Sequence, residues 1–315
     1  TCSTHAWTLV CGTGYGDVDS HRLRDAPSHP TTMLGLLAGA VRWASGRPLG
    51  ATGAAVALLL VVAAVAAPLL ARHDPQAQDI AARLQPPSAA HWLGTDQFGR
   101  DVRARVLYGL RISLGVAASA VLLAGLAGGL LGLVSGYVTG PFDLLVQRAV
   151  DLLMAFPMLI LALLMVGALG SSTATVALAI AVAYTPLAVR VTRASALTLR
   201  ERPFVDAARA IGASDARVLF RHVAPGCLAP WLVLVTSELG AAILAESALS
   251  YLGVGTREPT PSLGAMLSGA ALQHMEQAPW LALWPGVAIA LAVLAFTLVG
   301  DQASSGPRSR RLKSR

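Results

Sequence analysis

The sequence has few charged residues: Asp, Glu, Lys and Arg make up only 13% of its 315 residues, whereas 55% are hydrophobic. A soluble globular chain carries about 25% charged residues. A disordered chain combines low hydrophobicity with high charge, which is the opposite pattern. The composition therefore argues against a soluble enzyme and against a disordered protein, and it favours a membrane protein.

Cysteine and lysine are also scarce. The three cysteines (Cys2, Cys11 and Cys227) are too few and too scattered for a disulfide framework or a zinc site. The single lysine, Lys313, lies in the tail, and the sequence contains no G-x-x-x-x-G-K-[ST] phosphate-binding loop. The connections show no Ser/His/Asp nucleophile arrangement. We therefore expect this chain to be no enzyme, to hold no cofactor of its own and to leave ATP hydrolysis to other chains.

Long apolar runs dominate what is present. Six windows are long and apolar enough to cross about 30 Å of hydrocarbon as helices. They cover residues 49–71, 112–138, 152–169, 173–189, 228–249 and 280–299. The predicted fold class is an all-α polytopic membrane protein with six transmembrane helices.

Positive charge in the connections indicates the orientation. The connection between spans four and five carries seven arginines against three acidic residues, and the tail from Asp301 carries five basic residues against one acidic residue. The positive-inside rule places this connection and both termini in the cytoplasm. Four arginines before span two (Arg100, Arg103, Arg105 and Arg111) run against the rule. Because the charge orients spans, we expect lipid contact and no nucleic-acid partner.

This reading divides the chain into five parts. Residues 1–48 form a cytoplasmic extension, 49–71 the first transmembrane helix and 72–111 an external connection. Residues 112–300 form a core of five transmembrane helices that includes a cytoplasmic loop at 190–227, and 301–315 form a basic cytoplasmic tail.

Within that loop, the local signals predict a helix–turn–helix. Pro203 suits the first turn of a short helix, and Gly212 suits the left-handed residue that ends one. Ser214 is a candidate N-cap for a second helix that starts at Asp215, and Pro225 is expected to end it.

The first of these helices has a small apolar face. Val205, Ala208 and Ile211 share it, with arginines nearby. An exposed apolar knob with a polar rim is a plausible docking surface for another protein. The alternative is an amphipathic helix lying on anionic lipid.

The same loop resembles a known family. The string Asp206-Ala207-Ala208, followed by Gly212, Phe220, His222 and Pro225, is similar to the EAA loop of binding-protein-dependent ABC importer permeases. In that family the loop is the coupling helix that sits in a cleft of the cytoplasmic ATPase. This chain has Asp206 where the family usually has Glu. The resemblance implies the type I ABC importer permease fold and an ATPase-coupling role for these seven residues.

Two further blocks narrow the resemblance. The segment 91–114 (HWLGTDQFGRD, then Arg105, Gly109, Arg111, Ser113 and Leu114) and the segment 245–266 (AESALSYLG, then Pro259, Pro261, Ser262, Gly264 and Met266) resemble C-subunit-type permeases for dipeptides, oligopeptides and nickel. The resemblance implies half of a translocation pore in a bacterial inner membrane. The implied partners are a second homologous permease, two ATPase subunits that bind ATP and Mg²⁺, and an extracytoplasmic substrate-binding protein.

Glu238 and Glu246 are the only acidic residues inside a predicted span. Their separation puts them within about 80° on one helix face. Carboxylates at bilayer depth usually face a bundle interior or a wet cavity, so we predict that both line the translocation path. For Glu246 the alternative is an external interface position, bonded to the following loop. An ion- or proton-coupled secondary transporter that uses both residues, and a non-transporting scaffold, remain rival functions.

Small residues and prolines predict how the spans pack. Gly128, Gly132 and Gly136 recur every fourth residue, a spacing that lets helices approach closely. Pro157 and Pro186 interrupt spans three and four, and each is a candidate kink.

A metal site is not expected. His91, His222 and His274 lie in three separate connections, two external and one cytoplasmic, so they do not converge in the predicted topology.

Overall fold

The computed structural model describes residues 48–256 and 258–304, and every structural statement below concerns these residues. The expectations for the extension before Pro48 and for the tail beyond Ser304 fall outside them.

Helices make up most of the described chain, and the longest stretch with little helix is residues 71–101. Its helices are α1 (Pro48–Val65), α2 (Ala67–Leu70), α3 (Val102–Val138), α4 (Gly140–Met154), α5 (Met158–Leu169), α6 (Thr173–Arg200), α7 (Pro203–Ala210), α8 (Asp215–Val218), α9 (Ala224–Tyr251), α10 (Leu263–Leu267), α11 (Ala270–Gln273) and α12 (Trp280–Ser304). A 3₁₀ turn, Ile80–Ala82, follows α2, and a π-helical turn, Leu219–Val223, joins α8 to α9. No strand forms among the described residues, which confirms the all-α prediction.

Four helices are long and apolar enough to cross a membrane: α3, α6, α12, and the continuous run Asp215–Tyr251 that contains α8 and α9. Helices α4 and α5 pass the same test together, but they are bent by 91°, so they provide a fifth span only as a broken pair. The described apolar part of α1, Leu49–Val65, is shorter. The chain is thus a multi-pass helical membrane protein, whereas the sixth predicted span stays a prediction.

Prolines explain where two predicted spans break. Pro157 precedes α5 in an extended conformation, with a ψ of 130°, and the predicted span 152–169 is broken there. The window 49–71 also divides, because α1 ends at Val65 and Pro68, which has no N–H to donate, lies in the first turn of α2. Pro186 behaves differently, since α6 continues through it to Arg200.

The glycine stripe of α3 is the contact with α6. A Cβ added to Gly128 would lie 2.6 Å from the carbonyl oxygen of Thr185, and one added to Gly136 would lie 2.7 Å from that of Arg193. Only glycine lets the two backbones approach this closely, which confirms the predicted packing role.

Helix α9 closes the other side of the bundle. Trp231 Nε1 donates a hydrogen bond to the carbonyl oxygen of Gly125 in α3, at 2.8 Å. Buried side chains of α3, α5, α6 and α9 form the main core, among them Val121, Val166, Ile180, Ile243 and Leu249. Large apolar side chains such as Leu122, Leu126 and Leu244 are exposed on the outside, as expected where hydrocarbon or another membrane subunit covers the surface.

Candidate functional site

The loop between α6 and α9 forms the predicted helix–turn–helix. Pro203 lies in the first turn of α7, and Gly212 follows this helix with a φ of +84°. Side-chain-bearing residues rarely adopt this left-handed conformation, so glycine is the residue that allows the chain to turn here.

Two local predictions in this loop are wrong. Ser214 precedes α8 but makes no capping hydrogen bond with its side chain. Pro225 does not end the second helix, because it lies in the first turn of α9 and the helical run continues from Asp215 to Tyr251 through the π-helical turn. A proline is compatible with a first helical turn, where an N–H has no partner in the helix.

The apolar face of α7 is divided between the interior and the surface. Val205 is fully buried and Ala208 is 5% exposed, so both belong to a small core rather than to an exposed knob, contrary to the prediction. Their core also contains Leu133 and Tyr137 of α3, Ala196 of α6, and Val218 and Val223 of the following helical run. In contrast, Ile211 is 85% exposed and Phe204 is 44% exposed. We call Phe204, Asp206, Ala207 and Ile211, all exposed, the α7 outer surface.

A hydrogen-bonded clamp holds α7 against the end of α3. Tyr137 Oη donates to Asp215 Oδ1 at 2.7 Å, and Arg209 Nη2 donates to Tyr137 Oη at 3.2 Å. Arg200 Nη1, at the end of α6, donates to the carbonyl oxygen of Tyr137 and to Thr139 Oγ1, both at 3.0 Å. Sequence patterns do not reveal this clamp, because its members lie on four helices or at their ends.

Arg209 of the clamp has two acidic neighbours, Asp206 and Asp215. The hydrogen bond to Tyr137, together with the carboxylates of Asp215 and Asp206, raises the pKa of Arg209. Asp206 lies 3.9 Å from Arg209 and its side chain is 73% exposed, so most of its carboxylate faces solvent. Asp206 therefore contributes negative charge to the α7 outer surface.

The remaining motif residues of the loop lie further along the chain. Phe220 and His222 belong to the π-helical turn, and both are exposed. Phe220 lines an apolar cavity of about 220 Å³ with Leu130, Cys227 and Trp231, between α3 and α9.

The two acidic residues of α9 differ in environment. Glu246 is fully buried, and its Oε1 accepts a hydrogen bond of 2.8 Å from Ser250 Oγ. Its Oε2 has no hydrogen-bond partner among the described residues. Glu238 is half-buried and lines a narrow cavity with Val121 and Tyr184. Their role in the translocation path stays a prediction.

The HWLGTDQFGRD block folds into a buried polar network ahead of α3. Arg100 and Arg105 are 3% and 4% exposed. Arg100 Nε donates to Asp96 Oδ2 at 2.6 Å, and Arg105 Nε lies 3.5 Å from the same oxygen. Glu258 belongs to the connection before α10, and its Oε1 lies 3.6 Å from Arg100 Nη2 and 4.0 Å from Arg105 Nη2. Two arginines that run against the orientation rule are therefore buried in ion pairs.

His91, His222 and His274 lie on three separate segments, as predicted. His222 lies in the π-helical turn and His274 follows α11, on different segments from His91. However, His91 comes close to His73 and Asp101, and one ligand atom from each of the three lies within 4.8 Å of the others. Sequence patterns do not reveal that His73 lies near His91, because the path of the connection between them depends on tertiary contacts.

Together, the helical bundle and the loop packed onto its end define a class: a multi-pass membrane protein with a structured, partly apolar loop between two of its spans. Comparison with known families narrows that class. Residues 128–304 match the family described as binding-protein-dependent transport system inner membrane components, and residues 45–87 match the N-terminal transmembrane domain of oligopeptide transport permease C. The chain belongs to this family of transport permeases.

Individual relatives agree with this assignment. The chain is 43% identical over 249 residues to a Brucella suis protein whose name places it among peptide transport system permeases, covering 79% of this chain and 83% of the relative. It is 41% identical over 253 residues to the dipeptide transport system permease protein DppC of Alkalihalophilus pseudofirmus, covering 80% and 83%. It is also 41% identical over 215 residues to the glutathione transport system permease protein GsiD of Pectobacterium atrosepticum, covering 68% and 71%.

Proposed function

We propose that this chain is one of the two pore-forming permeases of an ATP-driven importer for peptides or a related small solute. A second homologous permease completes the pore, an extracytoplasmic binding protein delivers the cargo, and two ATPase subunits supply the energy with their own ATP and Mg²⁺. Family membership and the peptide, dipeptide and glutathione systems named for the relatives support the transport role and the cargo class.

The observation that carries the coupling part of this proposal is the construction of α7. Its inner face, Val205 and Ala208, is buried, whereas Ile211 on its outer surface is 85% exposed. Phe204, Ala207 and Ile211 are exposed at helical spacing, so they form an apolar stripe next to the charged Asp206, which is typical of a surface that another protein covers.

The clamp gives α7 a way to pass on motion. Tyr137 connects it to the end of α3, Arg200 connects the end of α6 to the same residue, and the continuous helical run from Asp215 leads into α9. Closure of the ATPases pushes α7, and the push reaches the ends of three spanning helices rather than bending a loose loop. In this mechanism the bundle then exposes its path alternately to the two sides of the membrane.

A charge on the α7 outer surface tests the docking. We expect Ile211→Asp to reduce co-purification of the ATPase and ATP-driven uptake by at least tenfold. Burial of an isoleucine side chain is worth about 1.5–3 kcal/mol, and about 1.4 kcal/mol corresponds to a factor of ten. Because Ile211 is 85% exposed, the substitution leaves the fold intact.

Ala303→Asp is the matched control, because it adds the same charge at an exposed position near the end of α12. We expect this control to co-purify with the ATPase subunits and to take up cargo as the wild type does. Normal assembly and uptake in the Ile211→Asp variant would contradict the proposed docking surface. Uptake that continues without ATP and collapses with the membrane potential would instead favour the ion-coupled alternative with Glu238 and Glu246, which the comparisons do not favour.

A further inference from the structure

We propose that His73, His91 and Asp101 form a binding site for a divalent transition-metal ion in the connection between α2 and α3. One ligand atom from each residue lies within 4.8 Å of the other two. Two imidazoles and one carboxylate suit a borderline ion such as Zn²⁺, since imidazole and carboxylate both ligate it and three protein ligands leave a position open. The inference does not depend on the proposed transport function.

The distances are close to those that a metal requires. Zinc binds histidine nitrogen and carboxylate oxygen at about 2.0–2.2 Å, which separates tetrahedral ligand atoms by roughly 3.4 Å. His91 Nδ1 and Asp101 Oδ1 are already 3.1 Å apart. The centroids of the His73 and His91 rings are 5.0 Å apart. Because His73 is exposed, a small rotation of its side chain brings all three ligands to an ion.

The carboxylate is fixed in place. Asp101 is 5% exposed, and its Oδ2 accepts the backbone N–H of Ala104 at 2.9 Å as the N-cap of α3. This leaves Oδ1 hydrogen-bonded to His91 Nδ1, and an ion bound to both atoms displaces the proton between them into solvent. The site therefore has one rigid ligand, one ligand hydrogen-bonded to it, and one exposed ligand that completes the set.

Neighbouring arginines are engaged elsewhere. The guanidinium carbon of Arg103 lies 4.3 Å from the centroid of the Trp92 ring, and that of Arg72 lies 5.1 Å from it. Arg100 and Arg105 pair with Asp96 and Glu258. Across the described ranges no arginine forms an ion pair with Asp101, so its charge is available to a cation.

The site lies at the rim of a cavity, where a bound ion connects two segments of the chain. His73 also lines an open cavity of about 540 Å³, together with Arg72, Gln76, Tyr108 and Thr260. An ion on the three ligands fastens the segment after α2 to the start of α3 at the rim of this cavity. It therefore orders that rim.

Metal binding to the full-length chain, purified without a polyhistidine tag, tests the site. Competition with a fluorescent chelator measures how many Zn²⁺ ions each chain binds. We expect the His73→Ala variant to bind one Zn²⁺ ion fewer per chain than the wild type. Asp101→Asn keeps the capping oxygen but loses the charge, and we expect its affinity to fall more than about tenfold. Co²⁺ should produce visible d–d bands in the wild type that are missing in His73→Ala.

His274→Ala is the control, since it removes a histidine outside the cluster, and it should bind metal as the wild type does. Zn²⁺ should also raise the unfolding temperature of the wild type and of this control, but not of His73→Ala. Equal binding by the wild type and His73→Ala would overturn the proposal. Loss of the same ion in His274→Ala would also overturn it, because the ion would then belong to other ligands.

Discussion

At the scale of single residues, the close packing of α3 against α6 depends on the absence of side chains along one face of α3. A Cβ added to Gly132 would lie 3.0 Å from the backbone nitrogen of Arg193 and would overlap the backbone of Val189 in α6. Gly115, in the same helix, has nothing within 4 Å of its added Cβ. Substituting each glycine by alanine therefore distinguishes the effect of helix packing on stability from the effect of helix propensity.

We expect Gly132→Ala to reduce the free energy of unfolding by about 1–3 kcal/mol, because the α3 and α6 backbones must move apart. Gly115→Ala should be neutral or stabilising by up to about 1 kcal/mol, since alanine is the better helix former. Unfolding of the two purified variants in detergent measures the difference. Equal stability of the two variants would show that the close approach of α3 and α6 is not a source of stability.

The apolar residues of α7 show that burial cannot be predicted from a local sequence pattern. The spacing of Val205, Ala208 and Ile211 predicts a single apolar helix face, which the structure divides between the interior and the surface. It does not show that Leu133 and Tyr137, about seventy positions earlier, cover the first two and leave Ile211 exposed. Burial depends on a tertiary partner, and a local pattern contains no information about that partner.

At the scale of elements, Pro157 interrupts a helix and Pro225 does not, because the two prolines lie at different positions relative to the helix ends. Pro157 breaks a predicted span, because the chain has an extended residue there between two helices. Pro225 does not end the helical run that starts at Asp215, because a π-helical turn precedes it and it occupies the first turn of α9. The turn at Gly212 was predictable, since a left-handed conformation is a local property that glycine signals.

The clamp between α3, α7 and α8 gives a prediction at this scale. Tyr137→Phe keeps the ring, which is 7% exposed, but removes the hydroxyl that contacts both Asp215 and Arg209. Each hydrogen bond is worth about 0.5–1.5 kcal/mol, so α7 stays folded but is held less firmly. We expect the ATPase to remain bound while the number of cargo molecules imported per ATP hydrolysed falls roughly two- to tenfold.

Uptake and ATP hydrolysis measured together in proteoliposomes give this ratio. Tyr251→Phe, at the other end of α9 and outside the clamp, removes the same chemical group and should leave the ratio unchanged. A normal ratio in the Tyr137→Phe variant would mean that the hydroxyl bridge takes no part in transmitting motion.

At the scale of the whole molecule, hydropathy and motif spacing predicted the all-helical class and the family, because both depend on long stretches of sequence. They did not predict the interior pairing of charge. Arg100 and Arg105 are paired with Asp96 and Glu258, and Arg193 donates to both carboxylate oxygens of Asp143 at 2.6 Å. Counts of arginine in connections therefore include residues that hold segments together, among them two of the four arginines that run against the predicted orientation.

The proposed coupling requires that the α7 outer surface faces the cytoplasm and binds the ATPase. Photo-crosslinking from a benzophenone amino acid at position 211, in the assembled and transport-competent complex, tests it most directly, with position 303 as the control. We expect position 211 to crosslink to the ATPase subunit and position 303 not to crosslink to it. Crosslinks from position 211 only to lipid or to the extracytoplasmic binding protein would contradict it.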